Sequence, residues 1–156
     1  MTDPEITVHE CSYSDVDDLK NVGRLINAYI EDEMGGGEML NGIQSLRLVN
    51  EHPKSIVLLA EQNGQCCGLL IAFENIATFT ATPMINIHDI IVLKTCRQKG
   101  VGKSLMEALF SIAQQRQCSR ITLEVREDNK VAQRLYEKMG FGATEPPMLY
   151  WRKNNI

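Results

Sequence analysis

The stretch RQKGVGKS, from Arg97 to Ser104, has residue types suited to binding phosphate, and it ends as a nucleotide-binding P-loop does. A P-loop also needs a glycine five positions before its Gly-Lys-Ser, because that glycine lets the backbone curl around a phosphate. Arg97 occupies that position here, and a dinucleotide-binding G-x-G-x-x-G pattern from Gly100 would need glycine in place of Leu105. The remaining pattern is Arg97-x-x-Gly100-x-Gly102, followed by helical periodicity.

This pattern can bind an anion through the backbone. The N–H groups from Gln98 to Lys103 lie at the predicted start of a helix, where no preceding turn supplies acceptors, and the two glycines allow a phosphate to approach. Two alternatives stay open. One is a glycine-containing turn with no ligand, and the other is a phosphate- or nucleotide-binding protein that uses GVGKS.

Two strand-loop-helix units position the residues that could do chemistry. The segment from Met84 to Leu93 is rich in β-branched residues and predicts a strand, and Lys103 to Gln117 has apolar residues at helical spacing. Further on, RITLEVRE predicts a strand and NKVAQRLYEKMG predicts a helix closed by Gly140. Ligands of α/β sheets bind where helices begin beside the carboxyl ends of strands.

The flanking sequence supplies the other elements. ITVHEC predicts a strand, Ser14 with Asp17 predicts the cap of a first helix, and a second helix is expected from Met39 to Val49. SIVLLAEQNGQCCGLLIAFE predicts a hairpin that turns at Asn63-Gly64, and PMLYWRK predicts a last strand. The predicted order is β-α-α-β-β-β-α-β-α followed by one or two strands, in a single domain over residues 1–156.

Composition narrows the class of protein. The net charge of −4 argues against nucleic-acid binding, which depends on basic surfaces. The N-terminus has no signal-peptide pattern, and the longest apolar run, CCGLLIAF, is far shorter than a membrane helix, so we expect a cytoplasmic protein without a membrane partner. The five cysteines contain no C-x-x-C pair, which favours reduced thiols over disulfides or a metal site.

The two units together resemble the GNAT superfamily of N-acetyltransferases. Arg97-x-x-Gly100-x-Gly102 matches the nucleotide-loop pattern Gln/Arg-x-x-Gly-x-Gly/Ala of that superfamily, and LEVREDNKVAQRLYEKMGF matches the unit that follows. The resemblance runs from about Ile87 to Phe141. It implies an α/β fold with a mixed, centrally splayed sheet of six to seven strands, flanked by about four helices.

The resemblance also implies a cofactor, acetyl-CoA, and the residues that bind it. Ile91 and Val92 would pair with the pantetheine arm, and Asn129 would contact the cofactor near its thioester. The pyrophosphate would be bound by the loop residues Arg97, Gln98, Lys99, Gly100, Val101, Gly102, Lys103 and Ser104. No metal is implied.

Amine acetylation needs a base that deprotonates the amine and an acid that protonates the leaving thiolate. In the branch of the superfamily similar to bacterial ribosomal-protein alanine N-acetyltransferases, a glutamate in LEV and a tyrosine in LY have these roles. Glu124 and Tyr136 match them. Asp89, His88 and Glu74 are rival bases, and by strand alternation only one of His88 and Asp89 can face the active cleft.

The predicted activity is transfer of an acetyl group from acetyl-CoA to a primary amine. The acceptor is open between a small molecule and a protein N-terminus or lysine, and the carboxylates of Glu31, Asp32, Glu33 and Glu38 are suited to attract a cationic amine. A non-catalytic acyl-CoA-binding or regulatory module on the same fold is the alternative. The apolar segment MLYW is a candidate interface for a homodimer.

Overall fold

The computed structural model describes residues 5–33 and 42–155. Contacts between residues divide the chain into two compact units, and the boundary along the sequence lies between Glu124 and Val125. The first unit contains a five-stranded sheet. In both chain order and sheet order its strands are β1 (Ile6–Glu10), β2 (Ser55–Gln62), β3 (Gln65–Ala77), β4 (Thr82–Val92) and β5 (Ile121–Leu123). All neighbouring strands are antiparallel except β4 and β5, which are parallel.

Among the described residues, three α-helices belong to the first unit and one to the second. They are α1 (Val16–Glu33), α2 (Gly42–Glu51), α3 (Val101–Gln115) and, in the second unit, α4 (Lys130–Lys138). The predicted mixed α/β class is confirmed. The predicted count of six to seven strands is too high, because the described residues form five, and PMLYWRK has no regular secondary structure. The prediction of a single domain stays a prediction.

The helices of the first unit cover opposite faces of the sheet. Val22 and Leu25 of α1 and Leu46 of α2 pack against a face that includes Leu59 and Leu69 of β2 and β3. Burial of such apolar side chains stabilises the fold by roughly 1.5–3 kcal/mol each.

The other face of the sheet receives α3. A Cβ placed on Gly68, beside Leu69 in β3, would lie 2.6 Å from Cγ1 of Val101 and 3.1 Å from Cδ1 of Leu105. Because neighbouring residues of a strand point to opposite faces, α3 packs on the side away from α1. The missing side chain at Gly68 therefore allows the start of α3 to approach the sheet closely.

The start of α1 is capped by Asp15, not by Ser14 as predicted. Oδ1 of Asp15 accepts hydrogen bonds from the backbone N–H groups of Asp17 at 2.8 Å and Asp18 at 3.3 Å. The buried Asp18 carboxylate accepts from Ser12 N at 2.8 Å and lies 2.8 Å from Nε2 of His9. Asp18 therefore ties the beginning of α1 to β1 and to the loop between them.

The predicted turn between β2 and β3 is confirmed. Asn63 and Gly64 form the turn between β2 and β3, with φ of 53° and 74°, the left-handed conformation that such two-residue turns require. All five cysteines are free thiols, and four are buried. Within the described ranges no helix is long and apolar enough to span a membrane, and no group of three His, Cys, Asp or Glu residues could hold a metal ion.

Candidate active site

Two residues in the connection from β4 to α3 have a left-handed backbone conformation. After a 3₁₀ turn at Lys94–Cys96, Arg97 is extended, Gln98 has φ of 61°, and Gly100, which caps α3, has φ of 91°. A Cβ on Gly100 would lie 3.5 Å from Cδ1 of Ile6, an ordinary contact, so conformation rather than space requires glycine there. Gly102, the second glycine of the predicted pattern, lies in the first turn of α3.

This loop and the first turn of α3 expose a row of hydrogen-bond donors. The first bond into the helix runs from Ser104 N to Gly100 O at 2.9 Å. The N–H groups of Val101, Gly102 and Lys103 precede this bond and lie at the N-terminal end of α3. N–H groups at the positive end of a helix dipole fit a pyrophosphate, and their position supports the predicted anion site.

Basic side chains cluster in the same segment. Nζ of Lys94 lies 3.0 Å from Oδ1 of Asp32 in α1, and Nζ of Lys99 donates to Thr95 O at 2.7 Å. Lys94 and Lys103 keep 60% and 61% of their side chains exposed, so they can still reach a bound anion. Their charges favour an anionic ligand at this end of α3.

Beyond β5, the edge of β4 has no strand partner among the described residues and is called the unpaired edge. Pairing of β4 with β5 ends at Ile87 and Leu123, whereas β4 continues to Val92. Leu93 N donates to Cys67 O of β3 at 3.0 Å, and alternation then points the backbone groups of Val92 toward the unpaired edge. There Val92 O accepts a hydrogen bond from Nε of Arg97 at 3.0 Å.

The backbone groups of the two residues predicted to pair with pantetheine therefore point to opposite edges of β4. The backbone groups of Val92 face the unpaired edge, but those of Ile91 face β3, and the Ile91 side chain is buried in the core. By the same alternation, the backbone groups of Ile90, a residue that the sequence did not single out, also face the unpaired edge. Sequence patterns could not identify it, since the direction depends on which hydrogen bond joins β4 to β3.

A β-bulge changes the interpretation of the two rival bases in β4. The register of the β3–β4 pair shifts between Ile71 and Ala72, which leaves His88 as an extra residue of β4. Asp89 lies opposite Ile71, so its side chain shares the sheet face of Ile71 and Phe73. The ring centroid of His88 lies 5.8 Å from that of Phe73, which places His88 on the same face. The prediction that His88 and Asp89 cannot share a face is therefore wrong.

The two groups have different surroundings. His88 is exposed, whereas Asp89 is half-buried, and burial raises the pKa of its carboxyl against the opposing effect of His88. A half-buried carboxyl with a raised pKa accepts a proton more readily than an exposed one.

Glu124 lies just after β5, because the strand ends at Leu123. Its exposed carboxylate accepts a hydrogen bond from Nδ2 of Asn86 in β4 at 3.5 Å, and the same amide donates to Oγ1 of Thr122 at 3.1 Å. Asn86 lies opposite Phe73, so it belongs to the sheet face that carries His88 and Asp89. The structure thus brings three of the four candidate bases to one face.

Glu74 is separated from them. It lies opposite Ile85 on β4, on the face that receives α3, and its carboxylate contacts Arg116 at 2.8 Å and Lys54 at 3.1 Å. The hydrogen bond from Arg116 holds the pKa of Glu74 below its ordinary value. A carboxylate held by two cations is a poor proton acceptor.

The second unit contains Asn129 and Tyr136. Asn129 caps α4, and its Oδ1 accepts a hydrogen bond from Ala132 N at 3.2 Å, which leaves its side-chain NH₂ group for a ligand. The Tyr136 ring centroid lies 6.1 Å from that of Phe141, and Phe141 N donates to Tyr136 O at 3.0 Å. Tyr136 is therefore fixed by the turn that follows α4.

The predicted acidic group falls partly outside the described residues. Glu31, Asp32 and Glu33 lie in the last turn of α1, and Glu38 lies outside the described ranges. Asp32 pairs with Lys94, which connects the end of α1 to the loop before α3.

Comparison with known proteins identifies relatives of this chain. A model of the acetyltransferase (GNAT) family matches residues 23–141. An uncharacterized N-acetyltransferase of Bacillus subtilis, YhfO, is 26% identical over 124 residues, which cover 80% of this chain and 83% of that protein.

Solved structures have the same fold. An aminoglycoside acetyltransferase from an uncultured soil metagenomic sample, in complex with sisomicin, has a TM-score of 0.79 at 15% identity, covering 96% of this chain and 97% of that one. The aminoglycoside N-acetyltransferase AAC(6')-Iy, in complex with CoA, has a TM-score of 0.75 at 17% identity, covering 96% of this chain and 95% of that one.

Proposed function

Because the chain belongs to the acetyltransferase (GNAT) family, we propose that this acetyltransferase moves an acetyl group from acetyl-CoA directly to a primary amine. The observation that carries the proposal is the start of α3, capped by the left-handed Gly100, which follows the edge of β4 where the pairing with β5 has ended. The N–H groups at a helix start fit a pyrophosphate, and a strand edge fits the amides of a pantetheine arm. The CoA complex of a structural neighbour supports the same assignment.

Acetyl-CoA supplies an activated acyl thioester, whose C–S bond breaks as the C–N bond of the product forms. The donors of residues 98–103 bind its pyrophosphate, and Lys94 and Lys103 add charge attraction. The backbone groups of Val92 and Ile90 hold the pantetheine arm at the edge of β4. The side-chain NH₂ group of Asn129 contacts the cofactor near its thioester.

Glu124 is the proposed base. An alkyl ammonium has a pKa near 10.4, so a proton must leave before the nitrogen can attack. Glu124 lies at the end of β5 with its carboxylate exposed and oriented by Asn86. His88 and Asp89 are the rivals on the same face, and Glu74 is disfavoured by its two cationic partners.

Tyr136 is the proposed acid. Its phenol hydroxyl can donate a proton without carrying charge at neutral pH, which suits protonation of a leaving thiolate. The contact with Phe141 and the cap at Asn129 fix both ends of the short helix that carries it.

A small amine-bearing molecule is the proposed class of acceptor. Two structural neighbours are aminoglycoside acetyltransferases, and one of them is bound to sisomicin. Glu31, in the last turn of α1, carries negative charge that favours a cationic acceptor over a neutral one. A protein N-terminus or lysine is the competing acceptor.

The test is release of CoA thiol from acetyl-CoA in the presence of aminoglycosides, polyamines and peptides with free N-termini, with the acetylated product identified by mass spectrometry. We expect thiol release that depends on a cationic small amine and one acetyl group added per thiol. If acetyl-CoA binds but thiol release never exceeds the rate without amine, the chain is the non-catalytic acyl-CoA-binding module.

A further inference from the structure

Three aromatic rings contact one another on the sheet face that carries the candidate bases. Phe73 of β3 lies between His52, which follows α2, and His88 of β4. Its ring centroid lies 4.7 Å from that of His52 and 5.8 Å from that of His88, with interplanar angles of 67° and 74°. Aromatic rings prefer such edge-to-face pairs, so three separate elements hold these rings in a fixed geometry.

The position of His52 is fixed although its side chain is exposed. Its Nδ1 accepts a hydrogen bond from Lys54 N at 3.2 Å, and its backbone N donates to Val49 O of α2 at 3.1 Å. Ser55 N, at the start of β2, donates to His52 O at 3.3 Å. A ring held in this way loses little freedom when a ligand packs against it, which makes it suited to a binding surface.

Phe73 lies where the core ends and the candidate bases begin. It packs against the core beneath α1 and α2, and its side chain is half-buried. It lies opposite Asn86 of β4, whose Nδ2 contacts the carboxylate of Glu124 at 3.5 Å, and Asp89 shares its sheet face. All of these residues belong to the first unit. An amine bound at Glu124 or Asp89 therefore has its carbon skeleton beside the Phe73 ring.

Carboxylates and aromatic rings bind different parts of an acceptor. The carboxylates receive the amine, whereas rigid aromatic rings present flat apolar surfaces that pack well against another ring. A linear alkyl chain must give up rotational freedom to lie on such a surface, and a ring has little to lose. We propose that Phe73 and His52 bind the carbon skeleton of the acceptor and select primary amines carried on a ring over linear alkylamines. The inference rests on the proposed acetylation of an amine and names the class of acceptor at that site.

The test compares cyclohexylmethylamine with n-heptylamine, which have the same number of carbon atoms and the same CH₂–NH₂ group. Release of CoA thiol from acetyl-CoA is expected to give a kcat/KM about tenfold higher for the ring amine than for the linear one. Phe73→Leu keeps an apolar side chain but removes the ring, and it should bring the ratio of the two kcat/KM values to about two or less.

A second variant tests the same surface without changing the core. His52→Gln replaces an exposed side chain and should lower the ratio about threefold. Glu51→Gln is the matched control and should keep the ratio of the parent, because Glu51 precedes His52 in the chain and its carboxylate pairs with Arg47 at 3.4 Å. A ratio near one in the parent, or an unchanged ratio in both Phe73→Leu and His52→Gln, overturns the inference.

A binding measurement separates this inference from the proposed acetylation. Thermal unfolding in the presence of CoA measures how far each amine stabilises the chain. Greater stabilisation of the parent by cyclohexylmethylamine than by n-heptylamine, lost in Phe73→Leu, supports the inference even without thiol release, and the missing release would contradict only the acetylation. Equal stabilisation by the two amines overturns the inference, and thiol release with both would leave the acetylation standing.

Discussion

His88 and Asp89 lie on the same face of the sheet although they are consecutive in the sequence. The bulge at His88 makes this arrangement, and it directs two proton-carrying groups toward the side of the sheet where Asn86 contacts Glu124. Three groups on one face could deprotonate an amine, so the choice of base becomes an experimental question with a defined set of variants.

Glu124→Gln is expected to lower kcat/KM by about 100-fold or more near neutral pH, because the amide cannot accept the proton of the amine. His88→Gln, on the same face, is the matched variant and should lower kcat/KM less than about threefold if it is only a neighbour. Steady-state kinetics from pH 6 to pH 9 measure both. The opposite ranking would transfer the role of base to the pair of His88 and Asp89.

Tyr136→Phe is expected to lower kcat by about tenfold or more while the KM for acetyl-CoA stays nearly constant, since only the proton of the leaving thiolate is affected. Tyr150→Phe removes a hydroxyl from an exposed tyrosine of the same unit and serves as the control. An unchanged kcat in Tyr136→Phe would remove this residue from the mechanism.

Gly100→Ala is expected to destabilise the protein by about 1–2 kcal/mol, because alanine disfavours the φ of 91° at this residue. Relaxation of the backbone would also rotate the neighbouring N–H groups, so acetyl-CoA should stabilise the variant less than the parent. Gly64→Ala, at a turn glycine with φ of 74° and open space around it, should lose stability but keep the full effect of acetyl-CoA. Thermal unfolding with and without acetyl-CoA distinguishes the two, and equal effects of acetyl-CoA would contradict a role for the Gly100 conformation in binding.

Asp18→Asn is expected to cost about 1.5–3 kcal/mol at neutral pH, because the buried carboxylate accepts hydrogen bonds from Ser12 N and His9. Burial alone would raise the pKa of Asp18, but the hydrogen bonds from Ser12 and His9 outweigh it and hold the pKa below its ordinary 3.8. The stabilisation is therefore complete above pH 3.8 and is lost as the pH falls through the lower pKa of the folded state.

Urea unfolding at several pH values measures this effect. The difference between the parent and Asp18→Asn should be largest near neutral pH and should shrink in acid. Asp17→Asn, at the exposed neighbour in the same helical turn, should show a much smaller difference. A difference for Asp18→Asn that grows in acid would contradict the assignment.

Features that depend on local chemistry were predictable from the sequence. The turn at Asn63-Gly64 follows from residue type and spacing, and the predicted resemblance to the GNAT superfamily is confirmed by the family match. Features that depend on pairing were not predictable. The bulge at His88 and the outward direction of Ile90 arise from how β3 and β4 align, which alternation within one strand does not encode.

The last predicted strand shows the same limit. PMLYWRK has strand-forming residues, but a strand exists only where a partner accepts its hydrogen bonds, and the described residues supply none. Asp15 likewise replaces Ser14 as the cap of α1, because either residue type can cap a helix and the path of the preceding loop decides between them.

Thermal unfolding of the purified chain alone, with acetyl-CoA, and with ATP plus magnesium measures which ligand the loop from Arg97 to Ser104 binds. A ligand at about one hundred times its Kd adds about 2.7 kcal/mol, or about 5–10 °C in Tm for a chain of this size. A shift of this size with acetyl-CoA and none with ATP is the expected result. A shift with ATP and none with acetyl-CoA would contradict the proposed transfer from acetyl-CoA and make GVGKS a nucleotide site.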